Sequence, residues 1–252
     1  MDLNGKIVVV TGAGRGQGAT EATLLTDLGA QVVAVDMVFE EDIRATARLE
    51  LDVTSRHDWA RLADLVRADF GAVHGLVNNA AIPGRSRVLD VDDEEWDRVM
   101  GVNVKGSLLG MQTLVPFMGP GASIVNISSL AGLFGVPSVA YGTSKWALRG
   151  LTQSAAHDFG PRGIRVNTVL PGYVDTPLVR QNDPVMQELT LRLIPLGRTG
   201  ETSDIAPIVA FLLSDHSAWI SGAEIPVDGG QHVHGGMKLT YETMLARAES
   251  GG

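Results

Sequence analysis

The 252-residue sequence contains no cysteine, which removes disulfides, thiolate metal ligands and cysteine nucleophiles from consideration. Positive charge is also short: 20 lysines and arginines face 29 acids, a net charge of −9. Nucleic-acid and anionic-membrane surfaces need clustered Lys and Arg, so neither kind of partner is expected. No apolar run is long enough to cross a bilayer, and the opening Met1-Asp-Leu-Asn-Gly-Lys6 has neither a signal-peptide core nor a small-residue cleavage site. A cytoplasmic protein is the expectation. No Pro/Ser-rich linker, shift in composition or internal repeat divides the chain, so residues 1–252 are expected to form a single domain.

What is present is apolar, glycine-rich and periodic. Hydrophobic residues make up 44% of the chain, enough for a large core, and 30 glycines imply many tight connections. A β-branched run at residues 6–11, an Ala/Leu-rich helical stretch at 16–29 and a second apolar run at 31–36 compose a βαβ unit. The alternation continues with strands near 48–53, 73–78, 122–128, 164–170 and 224–227. Helices are expected near 56–69, 93–100, 103–118, 140–159 and 202–213, around a variable segment near 175–198. This pattern predicts one doubly wound, Rossmann-like α/β domain, with a mostly parallel sheet and helices on both faces.

Two stretches carry chemistry. Tyr141 and Lys145 are four residues apart on a helical pattern and so share a helix face. A nearby ammonium favours the phenolate, which would bring a phenol of ordinary pKa near ~10 toward acid–base work. The second stretch, Thr11-Gly-Ala-Gly-Arg-Gly-Gln-Gly18, joins the first strand to the first helix. Its glycines let backbone approach a ligand closely, and the helix start offers N–H groups and partial positive charge to a diphosphate. Asp36 closes the next strand, where a carboxylate can accept both ribose hydroxyls of an adenosine and repel a 2′-phosphate. Arg15, within the loop, pulls the other way because it could pair with that phosphate; the Asp36 argument favours NAD(H).

With the loop, the acid and the Tyr/Lys pair together, residues 5–230 resemble the short-chain dehydrogenase/reductase family. The supporting motifs are Asp52-Val53, Asn78-Asn-Ala-Ala81 with Ala81 at a usual glycine, Asn103-Val-Lys-Gly106, Ser123-Ile-Val-Asn-Ile-Ser-Ser129, Pro171-Gly-Tyr-Val-Asp-Thr176 and Val227-Asp-Gly-Gly230. Gln17 stands at a common isoleucine. The resemblance implies an NAD-dependent oxidoreductase on CH–OH groups. Tyr141 would exchange the proton, Lys145 would lower its pKa and bind the nicotinamide ribose, and a serine would hold the substrate oxygen. Asn103 would support a proton relay. The cofactor would lie against Gly12, Arg15, Gly16, Gln17, Gly18, Asp36, Asp52, Val53, Asn79, Tyr141, Lys145, Pro171, Gly172, Val174 and Thr176.

The serine has two candidates. Spacing back from Tyr141 selects Ser128, whereas the register of the preceding strand selects Ser129; a deletion is easier to accommodate in a loop than a slip in a buried strand, which favours Ser129. Further implications are a lid near 177–198 and a homotetramer built through the helices near 103–118 and 140–159. Phe134, Val136, Tyr173 and Leu178 are candidates for an apolar pocket, or for core packing. The pocket would suit a hydroxysteroid, a cyclic terpenoid alcohol, an aryl ketone or a vicinal diketone. Asp90, Asp92, Asp93, Glu94 and Glu95 read as a solvated helix start, and His232/His234 as no metal site; no metal is expected. Trp96, Trp146 and Trp219 read as packing residues. The tail, 237–252, is expected to pack on a neighbouring subunit or to be disordered. The alternatives are a non-catalytic NAD-binding regulator on the same fold, and an epimerase or dehydratase of the extended branch, for which the chain is short.

Overall fold

Short apolar runs pair into one sheet whose inner strands bury both faces under helices, while the edge strands stay partly exposed. The strands are β1 (Ile7–Thr11), β2 (Gln31–Asp36), β3 (Ala47–Glu50), β4 (Gly75–Asn78), β5 (Ser123–Ile127), β6 (Arg165–Pro171) and β7 (Glu224–Val227). They pair in the order β3-β2-β1-β4-β5-β6-β7, every pair parallel. The structure, a computed structural model, describes residues 1–176, 179, 184–233 and 236–250. The order reverses between β1 and β4, which opens a crevice at the carboxyl ends of the strands.

Alternation along the strands divides the core into two layers. Val8, Val10, Val32 and Ala34 face one way, packing with Ala22 and Leu25 of α1 (Gly16–Asp27) and Val209 and Leu213 of α7 (Thr202–Leu213). Val9, Val33, Val35 and Leu76 face the other. There they meet Trp59 and Leu62 of α2 (Arg56–Leu65), Leu109 and Leu114 of α4 (Gly106–Leu114) and Ala155 of α5 (Val139–Phe159). Each such aliphatic side chain contributes roughly 1.5–3 kcal/mol on full burial. The remaining helices are α3 (Asp93–Met100), α6 (Pro184–Arg192) and α8 (Met237–Ser250). Among the described residues no helix is long and apolar enough to cross a membrane.

Local chemistry fixes the helix starts. Ser55 caps α2 by accepting from Asp58 N, and Asp92 caps α3 by accepting from Glu95 N. Glu95 then accepts from the backbone N–H groups of Arg85 and Ser86, so one end of the expected solvated acidic run has a structural task. Two boundaries differ from expectation. β3 stops at Glu50, because Asp52 turns its carboxylate onto Thr54 N at 2.8 Å and leaves the ladder. The helices expected at 93–100 and 103–118 are joined by a π-turn, Gly101–Lys105, and a second π-turn, Val66–Phe70, ends the α2 segment. Residues Met237–Ser250 of the tail are helical, with Met237, Tyr241 and Met244 exposed.

Candidate active site

The crevice floor is the loop from β1 into α1. A Cβ on Gly12 would lie 2.8 Å from Ala80 Cα, one on Gly18 would lie 2.1 Å from Gly12 O, and one on Gly14 would lie 1.9 Å from Val38 O. Gly12 and Gly16 also hold φ values of +65° and +58°, which side chains disfavour. Gly14 was not among the expected site residues; the G-x-G spacing within the loop was the signal for it. Asn79 braces the turn from behind, donating through Nδ2 to Thr11 O at 3.0 Å and Gly12 O at 3.1 Å. Such a cradle of crowded glycine backbone at a helix N-terminus fits a dinucleotide diphosphate.

A cleft of about 520 Å³ runs from this floor, lined at one end by Asp36, Asp52 and Val53 and at the other by Ser129, Tyr141 and Lys145. Gly12, Arg15, Gly16, Gln17, Gly18, Asn79, Pro171, Gly172, Val174 and Thr176 also line it; of the expected site residues only Asn103 does not. Asp36 accepts from Gly14 N at 2.8 Å and from Met37 N at 2.7 Å, which orients its carboxylate. Arg15 is paired with Glu40 at 2.8 Å. Gly172 passes so close to β7 that a Cβ there would sit 2.7 Å from Asp228 Cα.

At the other end, α5 presents Tyr141 and Lys145 on one face, with Lys145 Nζ 5.6 Å from the Tyr141 ring centroid. Nζ donates to Ile127 O at 2.9 Å, at the carboxyl end of β5. Ser129 and Tyr141 border the cleft together, and Ser129 Oγ accepts from Ala131 N at 3.2 Å. Ser128 differs: it is buried and donates to Lys145 O at 2.8 Å. Asn103 sits in the π-turn, a distortion frequent at functional sites. Its side chain is occupied by Ile82, both N and O, and by Ser144 Oγ.

Burial governs both titrating groups. It pushes the Tyr141 phenol above its ordinary value, opposed by the Ser129 side chain. It lowers the Lys145 ammonium to about 8. The expectation that Lys145 depresses the Tyr141 pKa is therefore corrected for this state. Desolvation wins, and the ammonium spends its hydrogen bond on Ile127 O rather than on the phenol.

A polar ladder under the site was not foreseen from sequence. Asn78 Nδ2 donates to Asn126 Oδ1, Asn126 Nδ2 to Thr152 Oγ1, and Thr168 Oγ1 to Thr152 Oγ1, all within 2.7–2.8 Å. It crosses β4, β5 and β6 and ends on α5, so it ties the Tyr141 helix to the sheet. Only the N-N-A-A motif hinted at it.

The expectations for the apolar pocket and for the packing of Trp146 and Trp219 fail. Phe134 and Val136 do not line the cleft; Ile82, Pro83, Val102 and Val179 supply its apolar wall. Tyr173 lines a separate cavity of about 190 Å³. Trp219 is wholly exposed and Trp146 is 48% exposed, stacked on the Arg149 guanidinium at 4.8 Å. His232 bonds Asp228 through Nδ1 at 2.7 Å. Leu178, His234 and residues 177, 180–183, 235, 251 and 252 of the lid, the region after β7 and the tail lie outside the described residues.

The family described as enoyl-(acyl carrier protein) reductase matches residues 12–232. Trans-4-hydroxycyclohexanecarboxylate dehydrogenase of Sinomonas cyclohexanicum is 39% identical over 245 residues, covering 90% of this chain and 92% of that protein. A 3-alpha-(or 20-beta)-hydroxysteroid dehydrogenase of Mycobacterium tuberculosis is 40% identical over 238 residues, covering 90% of each. Among solved structures, the ligand-free aldohexose dehydrogenase of Thermoplasma acidophilum superposes with a TM-score of 0.86 at 33% identity, covering 92% of this chain and 95% of that one.

Proposed function

Because this chain belongs to the short-chain dehydrogenase/reductase family, we propose that it interconverts a cyclic secondary alcohol and its ketone with NAD(H). The observation that carries the reading is the meeting of Ser129, Tyr141 and a buried Lys145 on one cleft floored by crowded glycines. A nicotinamide dinucleotide bound there would supply or accept the hydride.

The chain's own residues do the rest. Tyr141 gives its hydroxyl proton to the ketone oxygen in reduction and takes it back from the alcohol in oxidation. Ser129, already oriented by Ala131 N, donates to the same substrate oxygen as charge builds on it. Lys145 stays largely protonated at neutral pH with a pKa of about 8, so a cation lies one helical turn from the phenol, with Nζ 5.6 Å from its ring centroid. Asn103 acts through position: its side chain locks residue 82 to the π-turn, so any relay of protons would use its backbone. Ile82, Pro83, Val102 and Val179 give an apolar wall suited to a ring rather than a charged chain. Relatives named for a hydroxycyclohexane carboxylate and a hydroxysteroid support a cyclic substrate.

Asp36 supports NAD(H): its carboxylate is fixed by two backbone N–H groups where the ribose would lie. We read residues 1–252 as one such domain, assembling as a homotetramer. A screen of cyclic secondary alcohols with NAD⁺ and NADP⁺, followed by cofactor absorbance, tests the reading. Turnover of at least one ring alcohol, with kcat/KM at least about tenfold higher with NAD⁺, is expected. Turnover with no alcohol in the panel, or equal use of both cofactors, would contradict it.

A further inference from the structure

The segment that follows β2 folds back over the glycine loop and fastens itself there. Glu40 N and Glu41 N both donate to Gly14 O, at 3.0 and 3.1 Å. Gly14 N in turn donates to Asp36, and Glu41 Oε1 accepts from Gly16 N at 2.8 Å, on the first residue of α1. A Cβ on Gly14 would lie 1.9 Å from Val38 O, so the two segments are in backbone contact. From this fastened position Glu40 Oε1 reaches Arg15 Nη1 at 2.8 Å, and both side chains line the cleft beside Asp36.

An exposed ion pair between free side chains is ordinarily weak, because two flexible chains must be held in one geometry. Here the backbone of Glu40 is held by the loop that carries Arg15, so much of that ordering is already done. The pairing matters because Arg15 is the cation in the cleft wall best suited to a phosphate, offering planar paired donors. With Glu40 bonded to Nη1, one arm of that fork is taken by a carboxylate. The Arg15 charge is then offset by Glu40, and the fixed carboxylate of Asp36 is left without a counter-charge beside it.

We propose that Glu40 is a specificity-determining residue: it withdraws Arg15 from a ribose 2′-phosphate and, together with Asp36, makes the adenosine end of the cleft reject that phosphate. The inference rests on the reading of the cleft as a dinucleotide site and adds the residue that decides which dinucleotide enters. It resolves the opposition between Arg15 and Asp36 with a partner for Arg15 that lies four residues past the strand, outside the glycine motif.

The test is calorimetric binding of 5′-ADP and 2′,5′-ADP to the full-length protein, which needs no turnover. The unmodified chain should bind 5′-ADP at least about tenfold more tightly than 2′,5′-ADP. Glu40→Gln should strengthen 2′,5′-ADP binding at least about fivefold while the 5′-ADP affinity moves far less. The double variant Glu40→Gln with Arg15→Gln should lose that gain, since the released arginine is its source. Unchanged 2′,5′-ADP binding in Glu40→Gln, with 5′-ADP still bound, would overturn this inference and leave the dinucleotide reading intact. A gain that persists without Arg15 would also overturn it. Failure of the unmodified chain to bind either nucleotide would sink both readings.

Discussion

Ser128 and Ser129 are adjacent but their hydroxyls are committed differently. Both border the cleft, but Ser128 is buried and spends its proton on Lys145 O, whereas Ser129 Oγ only accepts, from Ala131 N, and keeps its proton for the cleft. Ser129→Ala should therefore lower kcat by roughly 100-fold through loss of a donor to the developing alkoxide. Ser128→Ala should instead cost about 1 kcal/mol of stability, because it removes one neutral hydrogen bond from the start of the site. Steady-state kinetics and urea unfolding on the same two variants separate the roles; a crippled kcat in the Ser128 variant alone would reverse the assignment. At this scale the sequence was informative where a motif names a residue type at a fixed place. Tyr141, Lys145 and the loop glycines were legible in that way. The partner of Arg15 was not, because the Glu40 contact depends on how a surface segment folds back and leaves no periodic trace. Nor was the direction of the Tyr141 shift legible, since it depends on burial rather than on spacing.

Among the elements, α5 is held to the sheet by Thr152, which accepts from Asn126 and from Thr168 while donating to Leu148 O. Thr152→Val keeps the shape but leaves buried donors unpaired, at an expected cost of about 1–3 kcal/mol. Denaturant unfolding checks it, and an unchanged midpoint would show that the ladder holds nothing. On α1, Glu21 is wholly buried, bonded by Gln17 Nε2 at 2.9 Å, and burial raises its pKa to about 8. The folded chain thus keeps a proton that the unfolded chain releases near 4.5, so this contribution is full below that value and is lost as pH climbs through about 8. Glu21→Gln should remove a pH-dependent loss of roughly 4 kcal/mol at most between about pH 5 and about pH 8. Parallel stability–pH curves for the two proteins would contradict the buried neutral acid. Element order and type were legible from periodicity, but both π-turns were missed: an inserted residue shifts the helical phase without changing composition.

At the scale of the molecule, the strand order brings the ends of β1, β4, β5 and β6 to one rim, which is why residues as distant as Gly12 and Thr176 line one cleft. That much follows from a βαβ pattern. Assembly does not, yet Leu108 on α4 and Trp146 on α5 are exposed on the two helices expected to mediate it. Light scattering should return about four times the 26.7 kDa of one chain, and a monomer across the working concentration range would contradict the homotetramer. The central claim is that the cleft carries out alcohol–ketone chemistry with Tyr141 handling the proton. Its most direct test is Tyr141→Phe, assayed beside the unmodified chain for turnover of a ring alcohol with NAD⁺ and for NADH binding by fluorescence. The phenylalanine keeps the ring and removes only the hydroxyl, so kcat should fall by at least about 100-fold while NADH affinity stays within about threefold. A variant that binds NADH normally and retains most of its turnover would contradict the account.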